Sequence, residues 1–177
     1  MNQHQPLPLV WLLSDARNDA GLEDALVRLP KGSGFVFRHY HLPAPQRRAR
    51  FAALSAIARS RNHCIVLSGD AQLARDWGAD GIYGAPDALA GADGMVRLAS
   101  AHDGAEIQAA ADRGADGVFL SPVFPTASHP GAATLGIHGF HVLAQQSPIA
   151  VIALGGMNSA RAQELDWPRW GAIDGLV

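Results

Sequence analysis

Two segments of this 177-residue chain combine residue types suited to holding an anion. The first is Ser121-Pro122-Val123-Phe124-Pro125-Thr126-Ala127-Ser128-His129-Pro130-Gly131. Its prolines fix φ and stiffen a long loop, while Thr126, Ser128 and His129 all offer hydrogen-bond donors. A preorganised loop rich in donors suits a phosphate, because little ordering entropy is lost on binding. The second is Ile152-Ala153-Leu154-Gly155-Gly156-Met157-Asn158, an apolar run, a glycine pair and a helix-capping residue. Without β-carbons, Gly155 and Gly156 let backbone N–H groups at a helix start approach phosphate oxygens. Glycine pairs also make ordinary tight turns, so the pair gains weight only within the wider pattern.

Other polar residues follow apolar runs: Asp15, Arg38, His39, His41, Ser68, Asp70, Tyr83, Asp87, Ser100 and His102. Any strand must end in a polar turn, but strand ends that converge also make a pocket. His102 has a side chain whose reference pKa, about 6.5, suits general acid/base work; a solvent-facing loop histidine is the plain alternative. His39-x-His41, and His138 with His141 three residues apart, have metal-ligand spacing, but no acidic partner is evident beside either pair. Cys64, the single cysteine, sits in the apolar run His63-Cys64-Ile65-Val66-Leu67 and reads as a small core residue.

The elements that must carry these residues follow from a repeated junction. Gly-Ala-Asp-Gly occurs at 78–81, 91–94 and 114–117, with a variant, Gly171-Ala172-Ile173-Asp174-Gly175, near the end. Each precedes a short apolar run, so each reads as helix end, tight turn and strand start. Further strands are expected over Leu7 to Leu13, Phe35 to Phe37, His63 to Leu67 and Ile149 to Leu154. Runs apolar throughout, without alternation, suit parallel strands covered on both faces. A helix is expected from about Gln46 to Ser60, another over Glu106 to Arg113 near the cap Asp103, and a third capped by Asn158 or Ser159.

The sum is an α/β fold, a compact (β/α)8 TIM barrel forming one domain over residues 1–177. An open doubly wound sheet is the alternative, disfavoured because no Gly-x-Gly-x-x-Gly follows the first strand. The last apolar run, Leu176-Val177, closes the chain, so the eighth helix is expected to be missing. Outward side chains drawn from Trp11, Leu13, Ile173 and Val177, with Trp167 and Trp170 nearby, would then lack a cover. An uncovered apolar seam implies a homodimer, unless Met1 to Pro6 folds over it.

Composition narrows the function classes. With 14 Lys+Arg against 16 Asp+Glu and no long basic run, the chain has no nucleic-acid-binding face. No segment is long and apolar enough to span a bilayer. Met1 to Gln5 lacks the cationic start of a signal peptide, and a cytoplasmic protein with small-molecule partners is expected.

Taken together, Gly114-Ala115-Asp116-Gly117, Pro122-Val123-Phe124-Pro125-Thr126 and the Ile-Ala-x-Gly-Gly ending at Gly156 resemble the thiamine phosphate synthase and TenI family, over nearly the whole chain. The resemblance implies a (β/α)8 fold and the joining of a hydroxymethylpyrimidine pyrophosphate to a thiazole phosphate, with Mg2+ and release of pyrophosphate. It implies Arg38 and His129 on pyrophosphate and Ser100 on the pyrimidine or leaving group. It also implies Thr126, Ser128 and Gly156 on the ligand phosphate, next to the paired Gly155 already singled out, and Asp87 on the metal. The chain departs from the pattern elsewhere. The family's Gln-x-Arg-x-Lys becomes Val36, Arg38 and Tyr40, and its Asn-Asp after the third strand becomes Ser68-Gly69. The last phosphate loop of the family would begin where the chain stops. Loss of positive charge and of a metal carboxylate weakens the neutralisation that a departing pyrophosphate needs. Three functions therefore compete: a synthase, a TenI-like tautomerase using His102, and a non-catalytic phosphate-ligand-binding barrel.

Overall fold

The computed structural model of the protein describes residues 6–128 and 130–177. Eight parallel strands close into a barrel in sequence order, the last hydrogen-bonded to the first. They are β1 (Val10–Leu13), β2 (Gly34–Phe37), β3 (Cys64–Ser68), β4 (Gly81–Gly84), β5 (Val96–Ala101), β6 (Gly117–Leu120), β7 (Ala150–Ala153) and β8 (Trp170–Ala172). Among the described residues six α-helices alternate with them: α1 (Leu22–Arg28), α2 (Ala44–Ser60), α3 (Ala71–Trp77), α4 (Gly104–Asp112), α5 (Gly136–Gln146) and α6 (Ser159–Leu165). A 3-10 turn, Pro86–Leu89, replaces a helix between β4 and β5. The caps expected at Asp103 and Asn158 form: each side chain accepts the backbone N–H three residues on, from Glu106 and Arg161.

Period-two alternation sorts the strand residues into two cores. Trp11, Leu13, Val36, Cys64, Val66, Leu98, Phe119 and Ile152 fill the barrel. The alternate residues, such as Leu12, Phe35, Phe37, Ile65 and Val118, pack outward against Leu22, Phe51, Leu54, Ile107 and Phe140 of the helices. Gly34 shows how tight the inner packing is, since a β-carbon there would lie 2.0 Å from a Trp11 ring carbon. Cys64 is buried, as expected, and burial pushes its thiol up to about 12.

This register corrects the expectation of a bare seam. Trp11, Leu13 and Ile173 belong to the interior, and Trp11 and Leu13 are fully buried. Their strands carry the inward parity, which an all-apolar run conceals. Trp167 is anchored, its indole N–H donating to the Val151 carbonyl at 2.9 Å. Asn18 stitches the barrel ends together, donating to the carbonyls of Leu13 and Ile173 at 2.9 and 2.8 Å.

The eighth strand also lies elsewhere than expected. It runs over Trp170–Ala172, so Gly171 and Ala172 are in the strand and not in a junction before it. Residues 173–177 then turn back, and Val177 packs against Gly21. The genuine junctions are the copies at 78–81 and 114–117. There Asp80 exchanges two bonds with Ile65 of β3, donating its N–H to the carbonyl at 2.7 Å and accepting the N–H at 2.8 Å. Asp116 does the same with Arg97 of β5 at 2.8 and 2.7 Å. The copy at 91–94 leaves Asp93 exposed and forms a turn after the 3-10 segment instead.

Candidate functional site

The inward register continues beyond the strand ends. Two residues past Val36 comes Arg38; past Leu98 come Ser100 and His102; past Phe119 comes Ser121; past Ile152 comes Leu154. All five line one cavity of about 730 Å³ at the C-terminal end of the barrel, the end where barrels of this type place their chemistry. Thr126, Ser128, Gly155 and Gly156 line the same cavity. Seven residues singled out in the sequence are therefore brought together: Arg38, Ser100, His102, Thr126, Ser128, Gly155 and Gly156. His129 lies outside the described residues.

The glycine pair is required by close approach. Gly155 and Gly156 adopt φ of 94° and 63°. A β-carbon on Gly155 would lie 2.6 Å from Pro122 Cα, and one on Gly156 would lie 2.4 Å from the Pro125 carbonyl oxygen. The proline-rich loop thus rests directly on the glycine loop, with Val123 N–H donating to Leu154 and Phe124 N–H to Gly155 at 2.9 and 3.1 Å. The two anion-suited segments form one wall.

On the opposite side Arg38 is largely committed. Its Nε donates to the Ser14 carbonyl at 2.8 Å and its Nη2 to Asp15 at 3.0 Å. On the floor, burial pushes the Tyr83 hydroxyl pKa up, partly offset by the Arg38 charge and a hydrogen bond with Ser100. His102 bonds Glu106 through Nδ1 at 2.8 Å, and Glu106 also accepts the His102 backbone N–H at 2.7 Å. That fixes the ring through one nitrogen and leaves Nε2 available to a ligand.

Sequence reasoning missed two charged residues on the cavity wall, Arg17 and Asp174. The signal for Arg17 was its position just past the Ser14-Asp15 strand end. Asp174 was obscured by the misplaced eighth strand; the loop after β8 is present, and Ile173, Asp174 and Gly175 line the cavity.

The expected metal residue is corrected. Asp87 does not line the cavity; it sits on the exposed 3-10 turn, paired with Arg113 at 2.7 Å. Asp70 is likewise occupied as the cap of α3, accepting from Leu73 N–H at 2.8 Å. The carboxylates nearest the cavity, Asp15 and Asp174, are each paired with an arginine, at 3.0 and 3.3 Å. Among the described residues no group of three His, Cys, Asp or Glu could hold a metal. Among the described residues Asp174 is thus the one carboxylate lining the cavity, a sparse donor set for Mg2+, which is usually held by one or two carboxylates together with phosphate oxygens.

The histidine pairs also resolve differently. His39 has the outward register and stacks on Phe37, with ring centroids 4.6 Å apart. Its Nδ1 meets Ser14 Oγ and its Nε2 meets Asp19, each at 2.7 Å, so an acidic partner does exist beside it. Burial holds its pKa below the usual histidine value despite the opposing pull of Asp19. Burial disfavours charge on Asp19, but hydrogen bonds from His39 and Arg50 outweigh it and lower its pKa. His141 is held by the Leu165 carbonyl at 2.7 Å. His39 thus has both ring nitrogens engaged and His141 has its Nε2 engaged, as structural contacts.

Comparison with known proteins agrees with this architecture. Residues 14–167 match the family model described as thiamine monophosphate synthase. A thiamine-phosphate synthase of Chloroflexus aurantiacus is 27% identical over 141 residues, 73% of this chain and 63% of the relative. That of Lactococcus lactis subsp. lactis is 25% identical over 144 residues, 76% of this chain and 64% of the relative. The matches thus span less than two thirds of these relatives' length. Among solved structures, a thiamine phosphate pyrophosphorylase from Pyrococcus furiosus superposes with a TM-score of 0.78 at 22% identity, covering 93% of this chain and 84% of that one. One from Bacteroides thetaiotaomicron gives 0.60 at 18%, covering 94% and 82%. These two likenesses speak to the fold. No helix among the described residues is long and apolar enough to cross a membrane. With a family match over most of its length, this chain belongs to the thiamine monophosphate synthase family.

Proposed function

We propose that this barrel performs the transferase reaction of thiamine biosynthesis, in the cytoplasm: it joins a hydroxymethylpyrimidine pyrophosphate to a thiazole phosphate and releases pyrophosphate. The observation that carries this reading is the convergence of Arg38, Ser100, Thr126, Ser128, Gly155 and Gly156 on one cavity. The ligand phosphate would rest on the glycine loop and the hydroxyls of Thr126 and Ser128. Ser100, beside Tyr83, would contact the pyrimidine. Arg38 would face the departing pyrophosphate, the one position of the family's Gln-x-Arg-x-Lys retained here. Tyr40, in place of a lysine, spends its hydroxyl on Ser68 at 2.5 Å. Less positive charge faces the leaving group, and slow turnover is expected. The test mixes hydroxymethylpyrimidine pyrophosphate and thiazole phosphate, with and without Mg2+, and reads thiamine phosphate. Absence of product under both conditions rejects the reading.

One observation favours a second reading. His102 faces the cavity with Glu106 on its far nitrogen, an arrangement suited to moving a proton. A TenI-like tautomerase would then isomerise a thiazole phosphate without Mg2+, and His102→Gln would abolish the activity. A barrel that binds thiazole phosphate yet shows neither activity is the non-catalytic binder.

A further inference from the structure

Arg17 is a cavity-lining cation that the proposed reaction does not use. It lies in the loop between β1 and α1 and reaches two other loops. Its Nη2 donates to Ser128 Oγ, 111 residues away in sequence, at 3.0 Å. The same nitrogen lies 3.3 Å from Asp174 on the loop after β8, and Nε lies 3.7 Å from Asp15. The side chain is 36% exposed, and Asp174 is 53% exposed. Ion pairs this open to solvent are weak and exchangeable. The other nearby guanidiniums are more tightly held: Arg38 by Ser14 and Asp15, and Arg161 by the Gly156 carbonyl and the Phe124 ring, 5.0 Å from its centroid. Arg17 is the cavity cation whose partners a ligand can most readily replace.

We propose that Arg17 is the phosphate clamp of this cavity and that Asp174 is its placeholder: a phosphate monoester on the glycine loop takes the guanidinium from Asp174, which swings to solvent. A guanidinium offers paired N–H groups matched to phosphate oxygens, and Ser128, already on Arg17, would share the same phosphate. This inference rests on the phosphate-ligand reading above, and the roles of Arg17 and Asp174 give it opposite signs at two positions. Arg17→Ala removes the clamp. Asp174→Asn removes a competitor and a like charge.

The experiment titrates the full chain with inorganic phosphate, followed through its backbone amide resonances, with thermal midpoints recorded for every variant. Arg17→Ala is expected to weaken phosphate binding by roughly 10-fold or more, as for a lost charged hydrogen bond. Asp174→Asn is expected to strengthen it a few-fold, with a smaller gain when Arg17 is already alanine. Unchanged binding in Arg17→Ala overturns the clamp while leaving the phosphate-ligand reading intact. Weakened binding in Asp174→Asn also overturns it, since the pair would then serve only to pin the loops. No phosphate binding by the unmodified protein overturns both. Should Arg17→Ala fail to fold, the sign of the Asp174→Asn effect decides alone.

Discussion

Replacing Gly156 by alanine separates backbone strain from crowding at the glycine wall. Gly94 is the reference: its φ is 78°, yet a β-carbon there meets nothing within 4 Å. Gly94→Ala therefore incurs only the left-handed penalty, about 1–2 kcal/mol, offset by roughly 0.4–1 kcal/mol from a stiffer unfolded chain. Gly156 has a similar φ of 63°, but its β-carbon would sit 2.4 Å from Pro125 O and 3.0 Å from Phe124 Cβ. Backbone oxygen cannot rotate away as a side chain does, so crowding adds about 1–3 kcal/mol. The expected losses are about 1 kcal/mol for Gly94→Ala and roughly 2–4 kcal/mol for Gly156→Ala. At this chain length that is roughly 2–4 °C against 4–16 °C in Tm. Thermal and urea unfolding measure both, with phosphate titration alongside. Relief of the clash must push Pro125, and with it Thr126, away from the glycine loop, so Gly156→Ala should also weaken phosphate binding while Gly94→Ala should not. Equal destabilisation by the two substitutions, or intact phosphate binding in Gly156→Ala, refutes the argument that backbone contact builds the wall.

Acidification should destabilise the fold in the histidine range. Burial lowers the pKa of His39 and of His63 below the ordinary 6.5, so below that pH the unfolded chain binds protons that the folded chain does not, and stability falls as pH falls toward the folded values. A urea midpoint flat between pH 7.5 and 5.5 rejects this. Gly69→Asp should strengthen Mg2+-dependent pyrophosphate binding over that of the unmodified protein. The nearest obstacle to the new side chain is the flexible Leu73 tip, 3.2 Å from the β-carbon, and calorimetry showing strong Mg2+ dependence in the unmodified protein overturns the donor-set argument. Of the residues named for the expected homodimer seam, Val177 is the one that is exposed. Light scattering at micromolar concentration should give twice the chain mass, reduced by Val177→Asp, and a monomer mass for the unmodified protein rules the dimer out.

The sequence by itself determined the fold class and most of the anion wall. Short unbroken apolar runs separated by glycine-bearing junctions suit parallel strands covered on both faces, and the proline-rich loop and glycine pair announce their backbone chemistry in their residue types. Helix caps at Asp103 and Asn158 were legible for the same reason, because a cap is a local event within four residues. Tertiary structure alone decided which face each strand residue takes. In an all-apolar strand such as Val10–Leu13 no polar alternation marks the parity, so Trp11 and Leu13 passed for outward residues until closure of the barrel placed them inside. The same four letters, Gly-Ala-Asp-Gly, became a two-bond junction at Asp80 and Asp116 but an exposed turn at Asp93, because only the first two have a neighbouring strand end within reach. Closure likewise decided the charges. Asp87 faces Arg113 outside the cavity, while Arg17 and Asp174, 157 positions apart, meet at its mouth, and no local pattern encodes a meeting made by bending eight strands into a ring.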